Sequence, residues 1–219
     1  MRLWKILLLL ALTPHLINAQ DISPKWKLRK QKKDLQVYVK ESTDSPFKEL
    51  RLKFTVNASM SSIVRLLQDV EAIPDWVYKC PEAYTVERVN EQEEIYYNLV
   101  DFPWPMDDRD IVIRNVLTQD SITKVVRSES VSEDYHLPEK EGIIRIKKLN
   151  LWWVFTPKPS GEVEVEYYLK SDPGGMIPAW IVNLAVDQGP IQTIKRFKKI
   201  LEEPKYKNAR LSYISELSE

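Results

Sequence analysis

The chain has 219 residues, and its 32 basic side chains balance its 32 acidic ones. That balance excludes a broad nucleic-acid surface, which needs a basic excess to neutralise phosphates, and the length fits one domain with a real core. Cys80 is the only cysteine, which excludes an internal disulfide; it reads as a buried small hydrophobe, with a reactive thiol as the sharper alternative.

The first nineteen residues have the layout of a secretory signal peptide. Arg2 and Lys5 give a basic start, Ile6 to Leu12 is an unbroken apolar run, and Ala19 supplies a small residue before Gln20. The run is shorter than the ~20 residues needed to span a bilayer, and Pro14 and His15 interrupt it. Cleavage near Ala19 is therefore expected, leaving a soluble periplasmic or secreted protein. Residues 20–205 form the expected domain and 206–219 a C-terminal tail. Cleavage removes two basic side chains and no acidic one, so the mature charge is near −2. Six lysines and arginines between Lys25 and Lys33 then read as a solvated entry to the first strand, with anionic lipid headgroups as the alternative.

Leu35–Val39 and Leu50–Val56 alternate with period two and predict an antiparallel strand pair about the turn Thr43-Asp44-Ser45-Pro46. Ser59 is placed to cap a short helix over 60–69, whose Ile63, Leu66, Leu67 and Val70 share one face. A further helical turn is predicted from Ile73, restarted at Pro74. Strands are then predicted over 83–90, 94–100, 110–118, 123–131, 142–147, 149–156 and 163–169, joined by short turns into an antiparallel meander.

The pattern changes at Asp172-Pro173-Gly174-Gly175. Ile177, Ile181, Leu184, Gln188, Ile191, Ile194, Phe197 and Leu201 recur at helical spacing, which predicts one long helix over 178–201, kinked at Gly189-Pro190. The fold class is α+β. A twisted sheet curls, and one narrow helix against it can enclose space as well as fill it.

Several runs resemble START domains, the lipid-transfer family of the helix-grip fold. They are Trp26-Lys27-Leu28 through Leu35–Val39, Phe47–Arg51, Asp69-Val70 with Trp76, Phe102-Pro103-Trp104-Pro105 leading to Asp108–Val112, and Asp172 through Asn183 with Pro190 downstream. The resemblance implies a curved antiparallel sheet wrapped around a long C-terminal helix, with a small helical insertion. It implies non-catalytic binding of a lipid, whether sterol-like, fatty acyl or phospholipid, in a tunnel between sheet and helix. It also implies a gate formed by Phe102–Met106 and Asp172–Trp180, transient membrane contact through Trp104 and Met176–Trp180, and no cofactor. A monomer is expected.

The expected lipid contacts are Trp104, Val112, Arg114, Trp153, Phe155, Val165, Tyr167, Met176, Trp180, Ile181, Leu184 and Gln188. Val163, Val165, Tyr167 and Leu169 share the inward face of one strand. Trp153 and Phe155 are ring contacts for a ligand or simply core, which aromatic residues dominate in any case. Both faces of the 110–118 strand are mixed, so Arg114 is either a polar anchor in the cavity or exposed. Arg109 and Asp110 are given structural roles, Arg109 pairing with a carboxylate and holding the Trp104 loop.

No catalytic set or metal site stands out. His136 is the only histidine after the signal segment, and a triad or zinc site lacks partners for it. The alternative function is a helix-grip cyclase or hydrolase, with Asp110, Glu94 or His136 as weak acid–base candidates. A third is an interaction module whose interior is filled.

Overall fold

The computed structural model describes residues 24–133 and 137–217. The signal segment and His136 lie outside the described residues.

Among the described residues, ten strands form one curved, unclosed sheet. They are β1 (Lys27–Lys32), β2 (Leu35–Lys40), β3 (Glu49–Val56), β4 (Glu82–Arg88), β5 (Glu93–Val100), β6 (Asp108–Gln119), β7 (Val126–Ser132), β8 (Ile143–Arg145), β9 (Lys148–Pro157) and β10 (Val163–Asp172). The spatial order is β1-β2-β3-β10-β9-β7-β6-β5-β4. The helices are α1 (Met60–Leu67), α2 (Ile73–Trp76), α3 (Ala179–Ala185), α4 (Gln188–Ile200) and α5 (Pro204–Lys207).

Period-two alternation builds the centre of the sheet. Leu50, Leu52, Phe54 and Val56 of β3 are buried, and β10 sets Val163 opposite Val56, Val165 opposite Phe54 and Tyr167 opposite Leu52. Each such apolar side chain contributes about 1.5–3 kcal/mol when fully buried. Ser59 caps α1 by accepting from the Ser62 N–H. The Glu216 carboxylate accepts from the Met60 and Ser61 N–H groups at 2.8 and 2.9 Å, so the helix N-terminus gains a second, anionic cap.

Four expectations change. The basic run is not an entry to the sheet but an edge strand, β1, paired with β2. The meander is not wholly antiparallel: β7 covers β6 only from Ile113 to Gln119, and β8 pairs in parallel with Asp108–Asp110. The segment after 205 is packed, with Tyr206 and Ile214 buried against the core.

The last change concerns the long C-terminal helix, which is two helices broken at Val186–Asp187. Arg29 of β1 donates to the carbonyls of Asn183 at 3.2 Å and Leu184 at 2.7 Å. Those are the carbonyls a continuing helix would engage. Asp187 is buried and faces Arg29 at 3.3 Å and Lys30 at 2.6 Å. Pro190 falls in the first turn of α4, where a missing N–H costs nothing.

Candidate functional site

α4 lies over the concave face with Thr193, Ile194, Phe197 and Ile200 buried beneath it. Trp153 is the hub of the contact. Its ring lies 5.2 Å from Phe197, 4.6 Å from Tyr167 and 6.3 Å from Trp76. Beyond this aromatic layer the helix and sheet part, leaving a cavity of about 220 Å³. Strand parity decides its walls: Tyr96 and Asn98 from β5, Ile113 and Asn115 from β6, Ser128 and Ser130 from β7, Leu151 and Trp153 from β9, Tyr167 and Leu169 from β10. Trp76 of α2 and Gly189, Pro190 and Thr193 of α4 close it. The Tyr78 N–H donates to Thr193 Oγ1 at 3.0 Å, joining the end of α2 to α4.

The polar groups of this cavity carry no formal charge. Asn115 Nδ2 donates to Ser128 Oγ at 2.7 Å and to Ser130 Oγ at 2.8 Å. Burial pushes the Tyr96 and Tyr167 phenols up, so both stay neutral. Two buried side-chain atoms of lining residues have no hydrogen-bond partner among the described residues: Trp76 Nε1, a donor, and Asn98 Oδ1, an acceptor.

The expected contacts divide. Trp153 and Tyr167 line the cavity, and Phe155 and Val165 lie buried in the adjoining core as a cross-strand pair. Val112 and Arg114 do not face it. They lie on the convex side of β6, where Val112 packs with Ile95 and Tyr97 in a second apolar cluster. Arg114 is paired there with Glu93 and with Glu133, the latter at 2.7 Å. Gln188 is exposed; the helix contributes Gly189, Pro190 and Thr193 instead. Gln188 is the first residue of α4, while Ile194, Phe197 and Leu201 further along the expected stripe are buried.

Trp104, Met176, Trp180, Ile181 and Leu184 are exposed rather than internal, Trp104 by 92% and Met176 by 100%. No residue of α3 is buried. Sequence reasoning missed Asn98, Asn115, Ser128 and Ser130 as wall residues. A usable signal was present in β7, where Val126, Ser128 and Ser130 alternate with Arg127 and Glu129.

Arg109 binds no carboxylate among the described residues. Its guanidinium is buried and donates to the Asp107 carbonyl, to the Pro173 carbonyl at 3.2 Å and to the Gly174 carbonyl at 3.5 Å. It also stacks on Phe102 at 4.3 Å. One side chain thus joins the Phe102–Met106 loop to the Asp172–Gly175 turn. Gly174 and Gly175 both have φ of 68°, a left-handed conformation that favours glycine, and a Cβ on Gly175 would stand 2.9 Å from Ile144 Cδ1. Asp110 is held by a different arginine, Arg145.

Few ionisable groups fit acid–base chemistry. Asp110 is locked to Arg145 on the convex side. Glu94 is buried, and burial raises its carboxyl to about 7 despite Arg88 at 2.7 Å; it lies outside the cavity wall. Burial pushes the Cys80 thiol up to about 12, which suits a buried hydrophobe and not a nucleophile. No cluster of three potential metal ligands occurs among the described residues.

Comparison with known proteins gives one consistent answer. A family model described as START domain matches residues 11–207. An uncharacterised protein of Pseudomonas aeruginosa is 29% identical over 187 residues, covering 85% of this chain and 92% of that one. Mouse phosphatidylcholine transfer protein is 26% identical over 145 residues, covering 64% of this chain and 66% of that protein. Among solved structures, a STAR-related lipid transfer protein fragment from Xanthomonas axonopodis superimposes with a TM-score of 0.75 at 26% identity, covering 81% of this chain and 99% of the fragment.

Proposed function

The chain belongs to the START domain family, and from that premise we propose that it binds and carries a lipid, or another apolar small molecule, in the cavity between the sheet and α4. The observation that carries the reading is the cavity itself. It is walled by Trp76, Tyr96, Trp153 and Tyr167 and sits where sheet and helix part. Removal of apolar area from water drives such binding, at roughly 25 cal/mol per Å² before ordering costs.

Loading requires contact with a donor. Trp104 and Met176 stand exposed on the two segments that Arg109 joins, and Trp180 follows on α3. Aromatic residues favour the membrane interface, and in this reading these three meet it transiently. The basic start and apolar run of residues 2–12 support export, with the carrier acting as a monomer in the periplasm or outside the cell.

The test is native mass spectrometry of protein purified from its own host envelope, paired with transfer of labelled lipid between vesicles. A reproducible co-purified lipid and measurable transfer are expected. Repeated absence of both overturns the reading. A second reading, an acid–base enzyme of the same fold, has the raised carboxyl of Glu94 to draw on, but that group lies outside the cavity wall; turnover of an added lipid that vanishes in Glu94→Gln would establish it in place of a carrier.

A further inference from the structure

We propose that residues 208–217 form a strap that clamps the helical cover of the cavity, the segment from α1 to Tyr78, and that release of the strap frees this cover while the sheet and α4 stay folded. The strap lies beyond the matched START region, which ends at residue 207. The proposal concerns the motion of the cover and is independent of what the cavity carries.

The strap grips both ends of α1. At the N-terminus the Glu216 carboxylate accepts from the Met60 N–H at 2.8 Å, the Ser61 N–H at 2.9 Å and the Ser61 hydroxyl at 2.8 Å. Ser59 serves the Ser62 N–H, so the strap takes two donors that the helix cannot satisfy internally. At the C-terminus the Tyr213 hydroxyl donates to Gln68 Oε1 at 2.6 Å. α5, from which the strap leaves, adds the Tyr206 hydroxyl on Asp69 Oδ2 at 2.8 Å. Between these grips the strap is tied to the end of β6. The Ser215 N–H donates to Gln119 Oε1 at 2.8 Å, and Gln119 Nε2 donates to the Ser215 carbonyl at 2.7 Å.

The gripped helix needs outside support. α1 has eight residues, short of the ~12–15 at which an isolated helix becomes marginally stable in water. It also leads into the cavity. Gln68 and Asp69 run through a single 3-10 turn at Val70–Ala72 into α2. Leu67 of α1, Ile73 and Trp76 of α2, and Val77 and Tyr78 beyond it line the space. Displacement of α1 is therefore passed along a short, continuous stretch of chain to one side of the wall.

The strap itself is lightly built. Among the described residues it has no helix or strand after Lys207, and Ile214 is its one buried side chain. Leu211 and Tyr213 are partly buried against the core. Ser215, Glu216 and Leu217 are exposed, so water competes for the donors that Glu216 holds. A segment with so few buried contacts opens at a smaller free-energy cost than the whole domain. β3 and β10, paired to each other along the buried face of the sheet, stand at the opposite extreme.

Amide hydrogen exchange of the full chain, compared with two full-length variants, tests the proposal. Glu216→Ala removes the grip on the N-terminus of α1. Ile214→Asp places a charge at the buried position and drives the strap off. Amides over 64–78 should exchange about fivefold faster in the first variant and at least about thirtyfold faster in the second, with β3 and β10 keeping their protection. Faster exchange confined to residues 60–63 reduces Glu216 to a local cap and overturns the proposal. Unchanged exchange over 64–78 overturns it too. So does a matching loss of protection in β3 and β10, which makes the tail part of the global fold. No ligand enters the measurement, so the carrier reading stands or falls separately.

Discussion

Arg145 grips Asp110 at two points: Nε lies 2.6 Å from Oδ1 and Nη2 lies 3.0 Å from Oδ2. Both side chains are buried, and the same guanidinium donates to the Leu137 and Pro138 carbonyls. The pair fastens β8 to the start of β6. Removing one partner strands a buried charge, which costs about 3–5 kcal/mol. Arg145→Leu and Asp110→Leu should each lose that much by urea denaturation, and the double variant should lose clearly less than the two losses added.

Glu94 sets a pH dependence with the opposite sign from an ordinary ion pair. Its carboxyl is raised on folding from 4.5 to about 7, so the folded chain holds the proton more tightly than the unfolded one. Stability therefore falls as pH rises from about 4.5 to 7 and stays reduced above that range. Glu94→Gln should remove this slope, gaining about 3 kcal/mol at pH 8 and nothing at pH 4. Urea midpoints at pH 4, 6 and 8 would show it; parallel pH profiles for the two proteins would refute it.

Cys80 should be silent towards thiol reagents. With its thiol pushed up to about 12, labelling at pH 8 should run at least about a hundredfold slower in the folded than in the urea-unfolded protein. Equal rates in both states would show that the thiol is reached without unfolding.

Arg29 fixes the end of α3. Arg29→Ala removes two donors from the Asn183 and Leu184 carbonyls and one of the two cations facing Asp187. Hydrogen exchange of the amides over 179–185 should quicken by about tenfold or more while β3 and β10 keep their protection. Unchanged exchange in α3 would mean that Lys30, whose Nζ lies 2.6 Å from Asp187, suffices alone.

The parts of this fold that were legible in the sequence are those with one buried face. β3 and β10 alternate cleanly, and Val163, Val165 and Tyr167, assigned to the inward face of β10, are buried. β1 escaped because it is an edge strand of lysines and arginines, whose hydrophobic period is empty although its backbone pairs with β2. The sequence predicts a helix kinked at Gly189-Pro190; the break lies slightly earlier, at Val186–Asp187, where Pro190 would meet the carbonyl four residues before it, and Arg29 takes up the Asn183 and Leu184 carbonyls freed there. The cavity wall on β6 was ambiguous for a physical reason. The convex side of that strand covers its own apolar cluster around Val112, so both faces look like an interior. Cavity and cover share the same alphabet there, and only the folded, curved sheet tells them apart.

The order of the strands has a consequence for synthesis. β3 touches β2 on one side and β10 on the other, so the first three strands join the rest of the sheet only through a strand that ends at Asp172. A ribosome that has delivered the chain as far as residue 160 has made two sheet fragments with raw edges and no seam between them. Such non-local pairing is slow and leaves edges open to aggregation. The nascent chain depends on whatever keeps those edges apart until the seam arrives.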